Sequence, residues 1–450
     1  MIRQAAVAAV TLLVALGPAA PVQAEQAQFV VMSRNIYLGA DVGIAMDLLP
    51  DFPAATQFMW DQMRQTDFES RSNGFVDEIA LEQPDVIGIQ EGTRWYCQSG
   101  PLADEVVVFD FVQILLNQLS GAGLNYEIAS HDGQIAQNVG FKIAPIPLLT
   151  KATDPEIFPS RFGSESAYCG FEIADVLLIK SSLAESVLAV GTTEYQEKYT
   201  IIPTIMSVYR GFSWADISIS GKPVRFITTH LESLYSEDGV PTAKIQADQL
   251  VSDLAATKIP IVLMGDFNSD LRDPRPDIGP NPGLQPSENS ACTKQVLNPN
   301  LETADSTCNA FWTIMQSGFQ SVGPDEADPR HYTWGMNALL TGPDPSRLPA
   351  AIEMGNPTGF TDRLDYIFVK GPINVLQAKL VGQSADQKWV SDHAGIVARF
   401  EISQPIEYQE VRLAEHTRFP LGFWQLVGFG LVVLVGFGIA RKRRKKLKLN

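Results

Sequence analysis

Apolar and polar positions along the chain alternate between two rhythms. Phe29-Val30-Val31-Met32-Ser33 is a short apolar run that predicts a strand. Phe75, Val76, Ile79 and Ala80 share one helical face, and Pro84 ends that helix. Asp85 to Gln90, with Val86, Ile87 and Ile89, returns to strand, and Val106 to Leu119 predicts a second helix. Asp175 to Lys180 is a further buried strand. Trp214 to Ile219 alternates with period two, Ser220-Gly221-Lys222-Pro223 makes a turn, and Val224 to Ile227 returns as the second arm of a hairpin. Pro241 suits the first position of a helix carrying Ile245, Leu250, Val251 and Leu254. Ile259 to Met264, Asp365 to Val369 and Ile396 to Ile402 complete the strands.

Strands interspersed with helices, with hairpins among them, predict an α/β sandwich with mixed sheets. Two stretches dense in Pro, Gly, Asn and Asp, Asp270 to Asn300 and Gly323 to Thr361, read as long surface loops, and loops of that length in a compact domain are often functional.

The ends follow other rules. Arg3, an uncharged run from Gln4 to Leu16, and Val22-Gln23-Ala24 before Glu25 have the order of a secretory signal peptide over 1–24. Leu421 to Ala440 carries no charge, has Phe423 and Trp424 at its start, and is followed by Arg441 to Lys446. About 20 residues match the ~30 Å hydrocarbon core, so this reads as a membrane helix with a basic cytoplasmic tail over 441–450. Residues 403–420 would be the tether. These features predict an exported, monomeric protein anchored with its 28–402 domain outside the cytoplasm, or released if the terminal segment is a processed sorting tag.

Composition adds three constraints. With 45 % hydrophobic and 19 % charged residues, the 450-residue chain is ordinary globular material. The net charge of −17 disfavours nonspecific binding of polyanions, but says little about a site that carries its own cations. Four cysteines in an exported chain predict disulfides; Cys292–Cys308 would close a Pro/Asn-rich loop and leave Cys97–Cys169, while a zinc site lacks a CxxC pair or nearby His. Gly-rich phosphate loops, a basic stripe and the Gly-x-Ser elbow are missing from the sequence, which argues against kinase-like chemistry, sequence-specific DNA binding and serine hydrolysis.

The chemistry sits at strand ends. Ser33-Arg34-Asn35, Gln90-Glu91, Thr228-Thr229-His230-Leu231-Glu232, Gly265-Asp266-Phe267-Asn268 and Arg363-Leu364-Asp365-Tyr366 adjoin apolar strands, and Ser391-Asp392-His393 precedes one. Two of the five histidines fall in these segments. Each segment alone is an ordinary loop start; the ordered set is the signal.

That set resembles the endonuclease/exonuclease/phosphatase superfamily, which holds DNase I-like nucleases, exonuclease III-type repair enzymes, bacterial sphingomyelinases and inositol-polyphosphate phosphatases. The resemblance runs from about Phe29 to Ile402. It implies a four-layer α/β sandwich, two facing mixed β-sheets flanked by helices, with the site at one end of the sheets. It implies Glu91 as principal metal ligand, with Asn35 beside it and Asp392 contributing, and these hard oxygen donors suit Mg²⁺ or Mn²⁺, with Ca²⁺ a further candidate. By the same resemblance Asp266 positions or deprotonates the attacking water and Asn268 holds a phosphoryl oxygen. His393, oriented by Asp365, is the catalytic histidine, and His230 binds phosphate or protonates the leaving oxygen. The family's further Glu or Tyr supporting the first histidine has no single counterpart within Tyr168 to Asp175.

The implied activity is metal-dependent hydrolysis of phosphoesters, foremost a phosphodiesterase or nuclease. A sphingomyelinase-like phospholipase C acting on a phospholipid headgroup and a phosphomonoesterase are the alternatives, and Trp334 and Phe360 would suit a lipid. A catalytically dead binding module would have lost Glu91, the Asp266/Asn268 pair or His393, and none is lost.

Overall fold

The computed structural model describes residues 27–413 apart from 203–205, 237–238, 274–291, 293–305, 357, 384–388, 405 and 412. Two mixed sheets dominate. Numbering strands along the chain, the first sheet runs β18 (Asn374–Val381), β19 (Gly395–Ile402), β1 (Ala27–Asn35), β2 (Val86–Gln98), β9 (Ser166–Lys180) and β4 (Tyr126–Ile128). On its flank β3 (Val106–Asp110) pairs with β2, and β7 (Gln137–Ile143) and β8 (Lys151–Thr153) pair with β9. The second runs β10 (Val187–Glu194), β13 (Gly211–Ile219), β14 (Lys222–His230), β15 (Ile261–Asp266), β17 (Asp365–Lys370) and β16 (Gln320–Val322). Two small ribbons, β5 (Ser130–His131) with β6 (Gln134–Ile135) and β11 (Tyr199–Ile202) with β12 (Met206–Val208), stand apart.

Both faces of each sheet are covered, which is why the central strands read as continuous apolar runs. Along β1, Phe29 and Val31 point to the interior between the sheets, where they join Phe226, Val262, Met264, Ile367 and Phe400. The alternate residues Val30 and Met32 face outward and pack with Phe75, Ile79, Phe111 and Leu115 of the helices Phe68–Glu82 and Phe111–Gly121. The outer face of the second sheet, with Trp214, Ile227, Leu263 and Phe368, is closed by Leu250 and Leu254 of helix Thr242–Leu254 and by Phe311 and Ile314 of helix Ala310–Gln316. The layers are therefore helix, sheet, sheet, helix, as expected.

Each sheet contains one parallel pair joined through a helix, β1 beside β2 and β14 beside β15. Parallel pairing aligns strand ends, so Asn35 lies opposite Gln90 and His230 opposite Asp266. The sheets approach closely just before this edge. A Cβ on Gly88 would stand 3.0 Å from Thr228 Oγ1 and 3.3 Å from Met264 Cβ across the gap. Beside it Gln90 Nε2 donates to Thr228 Oγ1 at 2.8 Å, joining the sheets.

Several expectations need correction. The helix expected over Val106–Leu119 begins only at Phe111: Val106, Val107 and Val108 extend as β3, as β-branched residues favour, and Asp110 caps the helix by accepting from Gln113 N at 3.0 Å. Pro241 is the residue before the helix rather than its first. The stretch Gly323–Thr361 is not bare loop; it holds a 3₁₀ turn at Pro329–His331 and the helix Leu348–Met354. Both disulfides form as paired above, Cys97–Cys169 between facing residues of β2 and β9 and Cys292–Cys308 beside helix Ala310–Gln316, which removes the zinc alternative.

The anchored, exported location is also corrected: among the described residues no helix is long and apolar enough to cross a membrane. The expected signal peptide (1–24) and membrane segment (421–440) both lie outside the described residues, as does most of the Asp270–Asn300 stretch.

Candidate active site

The site forms where the two sheets end together, and each sheet supplies half of it. From the first come Asn35, Glu91 and the Ser391-Asp392-His393 turn; from the second come His230, Asp266, Asn268 and Asp365.

Glu91 reaches the site through a defect in β2. The pairing of β2 with β9 shifts register between Ile89 and Gly92, and Glu91 adopts φ +60°. A bulge of this kind re-aims a side chain that regular alternation would send elsewhere, at a backbone cost of about 1–3 kcal/mol. The carboxylate is then held from both sides, with Oε1 accepting from Asn35 Nδ2 at 3.0 Å and Oε2 from Leu38 N at 2.6 Å. Asn35 Nδ2 also donates to Asp266 Oδ2 at 3.1 Å, linking the halves.

Buried arginines brace this edge. Arg71 donates to the carbonyls of Ile36, Tyr37 and Val390, and Arg34 pairs with Glu78 at 3.0 Å while donating to the His393 carbonyl. Ser391 Oγ donates to Asn35 O at 2.8 Å and accepts from His393 N at 3.1 Å, fixing the Asp392-His393 turn against β1.

Asp266 Oδ2 lies between two imidazoles, 3.5 Å from His230 Nε2 and 3.6 Å from His393 Nε2. The two rings are set differently. His393 Nδ1 donates to Asp365 Oδ2 at 2.9 Å. Burial opposes a charge on His393, yet Asp365, then Asp266 and Asp392, outweigh it and hold the imidazole well above its usual pKa. His230 Nδ1 instead faces Arg210 Nη1 at 3.1 Å. A guanidinium only donates, so Nδ1 must accept, and the proton of neutral His230 sits on Nε2, toward the site. Burial first, and Arg210 second, keep His230 well below its usual pKa. Arg210 is itself paired with Glu232 at 3.2 Å. The unplaced support of the first histidine is thus an arginine from the turn before β13, not a Glu or Tyr of β9. Asp175 of β9 lies behind, its carboxyl raised by burial and partly relieved by Arg210 and the His230 N–H.

Asn268, at φ +45°, donates from its backbone to Asp266 Oδ1 at 3.0 Å and from Nδ2 to Leu231 O at 2.8 Å. Asn is among the residues that tolerate this left-handed backbone, and the turn leaves one amide hydrogen for a ligand. Asp392 lines the same cleft, but its carboxylate meets Trp334 Nε1 at 3.3 Å rather than Asn35 or Glu91. Trp334 is delivered by the Gly323–Thr361 stretch, which bridges both to His393 and to Asp362, and Arg347 lies over its ring at 4.1 Å. Sequence patterning singled out neither Arg210 nor Arg71, because their partners are distant in the chain.

A divalent metal fits this donor set. Donor atoms of Glu91, His230 and Asp266 converge within 4.8 Å, as do those of Asp266, Asp365 and His393; with a proton on His230 Nε2 and His393 charged, the lone pairs for a metal come from the carboxylates. Asp392 belongs to neither grouping. Burial, partly offset by His393, pushes Asp266 up to about 7 and Asp392 up to about 6, and the neighbouring carboxylates Asp365 and Glu91 add to this. Buried carboxylates this crowded are relieved by a cation, and oxygen-rich surroundings suit a hard one.

A family model described as Endonuclease/Exonuclease/phosphatase family matches residues 59–393. The chain belongs to that family. Its members are typically metal-dependent phosphoesterases, and the matched span holds the candidate catalytic and metal-ligating residues other than Asn35. Solved structures with a similar chain course include a family protein from Leptotrichia buccalis C-1013-b, at 18 % identity and TM-score 0.44, covering 83 % of this chain and 100 % of that one. Another, from Beutenbergia cavernae DSM 12333, has 17 % identity and TM-score 0.44 over 84 % of this chain and 72 % of its own. D. rerio TDP2 complexed with single strand DNA product has 14 % identity and TM-score 0.38 over 83 % and 98 %. No curated protein sequence matches the chain.

Proposed function

We propose that the protein is a metal-dependent phosphodiesterase in which Asn35 and Glu91, with Asp392 alongside, hold Mg²⁺ or Mn²⁺. The observation that carries this reading is Asp266 Oδ2 placed between the two imidazole Nε2 atoms and linked through Asn35 to Glu91. When bound, the metal neutralises phosphate charge and stabilises the leaving oxygen. The chain's own residues do the rest. Asp266 accepts a proton from the attacking water as the new O–P bond forms. His230, fixed as an Nε2–H donor, and the remaining amide hydrogen of Asn268 hold the phosphoryl oxygens. His393, kept protonated by Asp365, gives its proton to the leaving oxygen as the old P–O bond breaks.

Hydrolysis of bis-p-nitrophenyl phosphate, with Mg²⁺, Mn²⁺, Ca²⁺ or EDTA, tests this. Metal-dependent turnover is expected, with Glu91→Gln and His393→Ala folded by circular dichroism but inactive. Full turnover by either variant overturns the assignment.

A further inference from the structure

The cleft above the site encloses about 330 Å³ and is lined by two unlike sets of residues. One is apolar: Leu38, Val42, Phe141, Ile173 and Val208 all line it, and all pack into the same cluster on the outer side of the first sheet. Leu38, Phe141, Ile173 and Val208 keep only 7–8 % of their surface exposed. The other set is acidic: beyond the catalytic carboxylates, Asp41, Asp273 and Asp344 also line the cleft.

Cations are sparse. Arg210 and Arg347 are the Lys or Arg side chains among the described lining residues, and both are engaged. Arg210 is committed to Glu232 and His230, and Arg347 to Asp362 at 3.2 Å and the Trp334 ring. Nucleic acid is held chiefly by Lys and Arg along its backbone, with one charge per about 1.7 Å of duplex. Further phosphates of a polyanion would have to enter a cleft that Asp41, Asp273 and Asp344 also line.

Resting on the phosphodiesterase reading, we propose that the cleft selects a singly charged phosphodiester with one apolar ester arm, which lies on Leu38, Val42, Phe141, Ile173 and Val208. Polyanionic nucleic acid is a poor substrate. Even one methylene in an apolar pocket is worth about 10–200-fold in kcat/KM.

The test compares four probes with Mg²⁺ or Mn²⁺: bis-p-nitrophenyl phosphate, methyl p-nitrophenyl phosphate, sphingomyelin in detergent micelles and a single-stranded DNA oligonucleotide. After correction for hydroxide-driven rates, the bis-aryl diester is expected to exceed the methyl diester at least tenfold, with DNA below both. Val42 is half-buried at the cleft rim, so Val42→Asp should fold and should reduce that ratio severalfold; Ile173→Ala is a milder second variant. Hydrolysis of sphingomyelin identifies the arm as a lipid, and its inertness beside an intact aryl preference identifies a compact aromatic arm. Equal corrected efficiencies for the two aryl diesters, or DNA above both, overturn this proposal while leaving a phosphodiesterase. Failure of every diester with every metal overturns the phosphodiesterase reading itself.

Discussion

Arg210 Nη1 stands 3.1 Å from Nδ1 of His230, so a permanent cation rather than a carboxylate sets the proton of that ring. His393, backed by Asp365 at 2.9 Å, has the opposite arrangement. Two histidines on either side of one aspartate are thereby set to opposite protonation, one held neutral and the other charged.

Arg210→Met should therefore lower kcat by about 10²-fold with little change in KM, since it frees His230 to turn or to take the other tautomer. Arg210→Lys should recover part of the loss. Steady-state kinetics on bis-p-nitrophenyl phosphate reads both, and a loss confined to KM would contradict the positioning role.

Asp365→Asn should cost about 10²–10⁴ in kcat, because the amide no longer favours a proton on Nδ1 and the charged ring loses its main counter-charge. If His393 acts as the acid, the alkaline limb of the pH–rate profile should also move to lower pH. A limb that stays in place separates Asp365 from His393.

Thermal stability in EDTA should fall as pH rises above about 6.5. Burial pushes Asp266 up to about 7, and His393 and Asp175 are also raised, so the folded protein keeps protons that the unfolded chain has lost. Asp266's contribution is complete below about 4 and is lost by about 7, whereas that of His393 is complete below about 6.5 and is lost above it, which carries the decline on the alkaline side. His230, lowered by burial, acts oppositely, but only below about 6.5, the unfolded histidine value. Melting curves across this range should flatten when Mg²⁺ or Mn²⁺ is added.

Cys97→Ser with Cys169→Ser should lower stability by about 2–4 kcal/mol, read from denaturant unfolding, because the bond closes a 72-residue separation. The bond ties β2 to β9 away from the catalytic edge, so kcat should be preserved.

Much of this architecture was legible because double-sided burial leaves its mark on composition. β1, β2, β15 and β19 are apolar on both faces, and the chemistry follows directly at or beside their ends. The boundary at Val106–Phe111 was missed because three valines before an aspartate fit a helical stripe as well as a strand, and only pairing with β2 decides between them. Glu91 was recognisable from its place in the ordered motifs, whereas the bulge that turns it inward is a property of the paired strands. Arg210 was invisible for a related reason. Its contact with His230 exists only because β13 and β14 fold back as a hairpin, bringing Gly211 and Phe212 alongside Thr229.

Gly88 has a role that reaches beyond its own strand. The Asn35–Glu91 end of the site belongs to one sheet and the Asp266–His230 pair to the other, so the close approach of the sheets at Gly88 bears on how near the two halves of the site stand. A methyl group there would press on Thr228 and Met264, which would have to give by a few tenths of an ångström. The fit between the two halves of the site is in this sense gauged by a residue that belongs to neither.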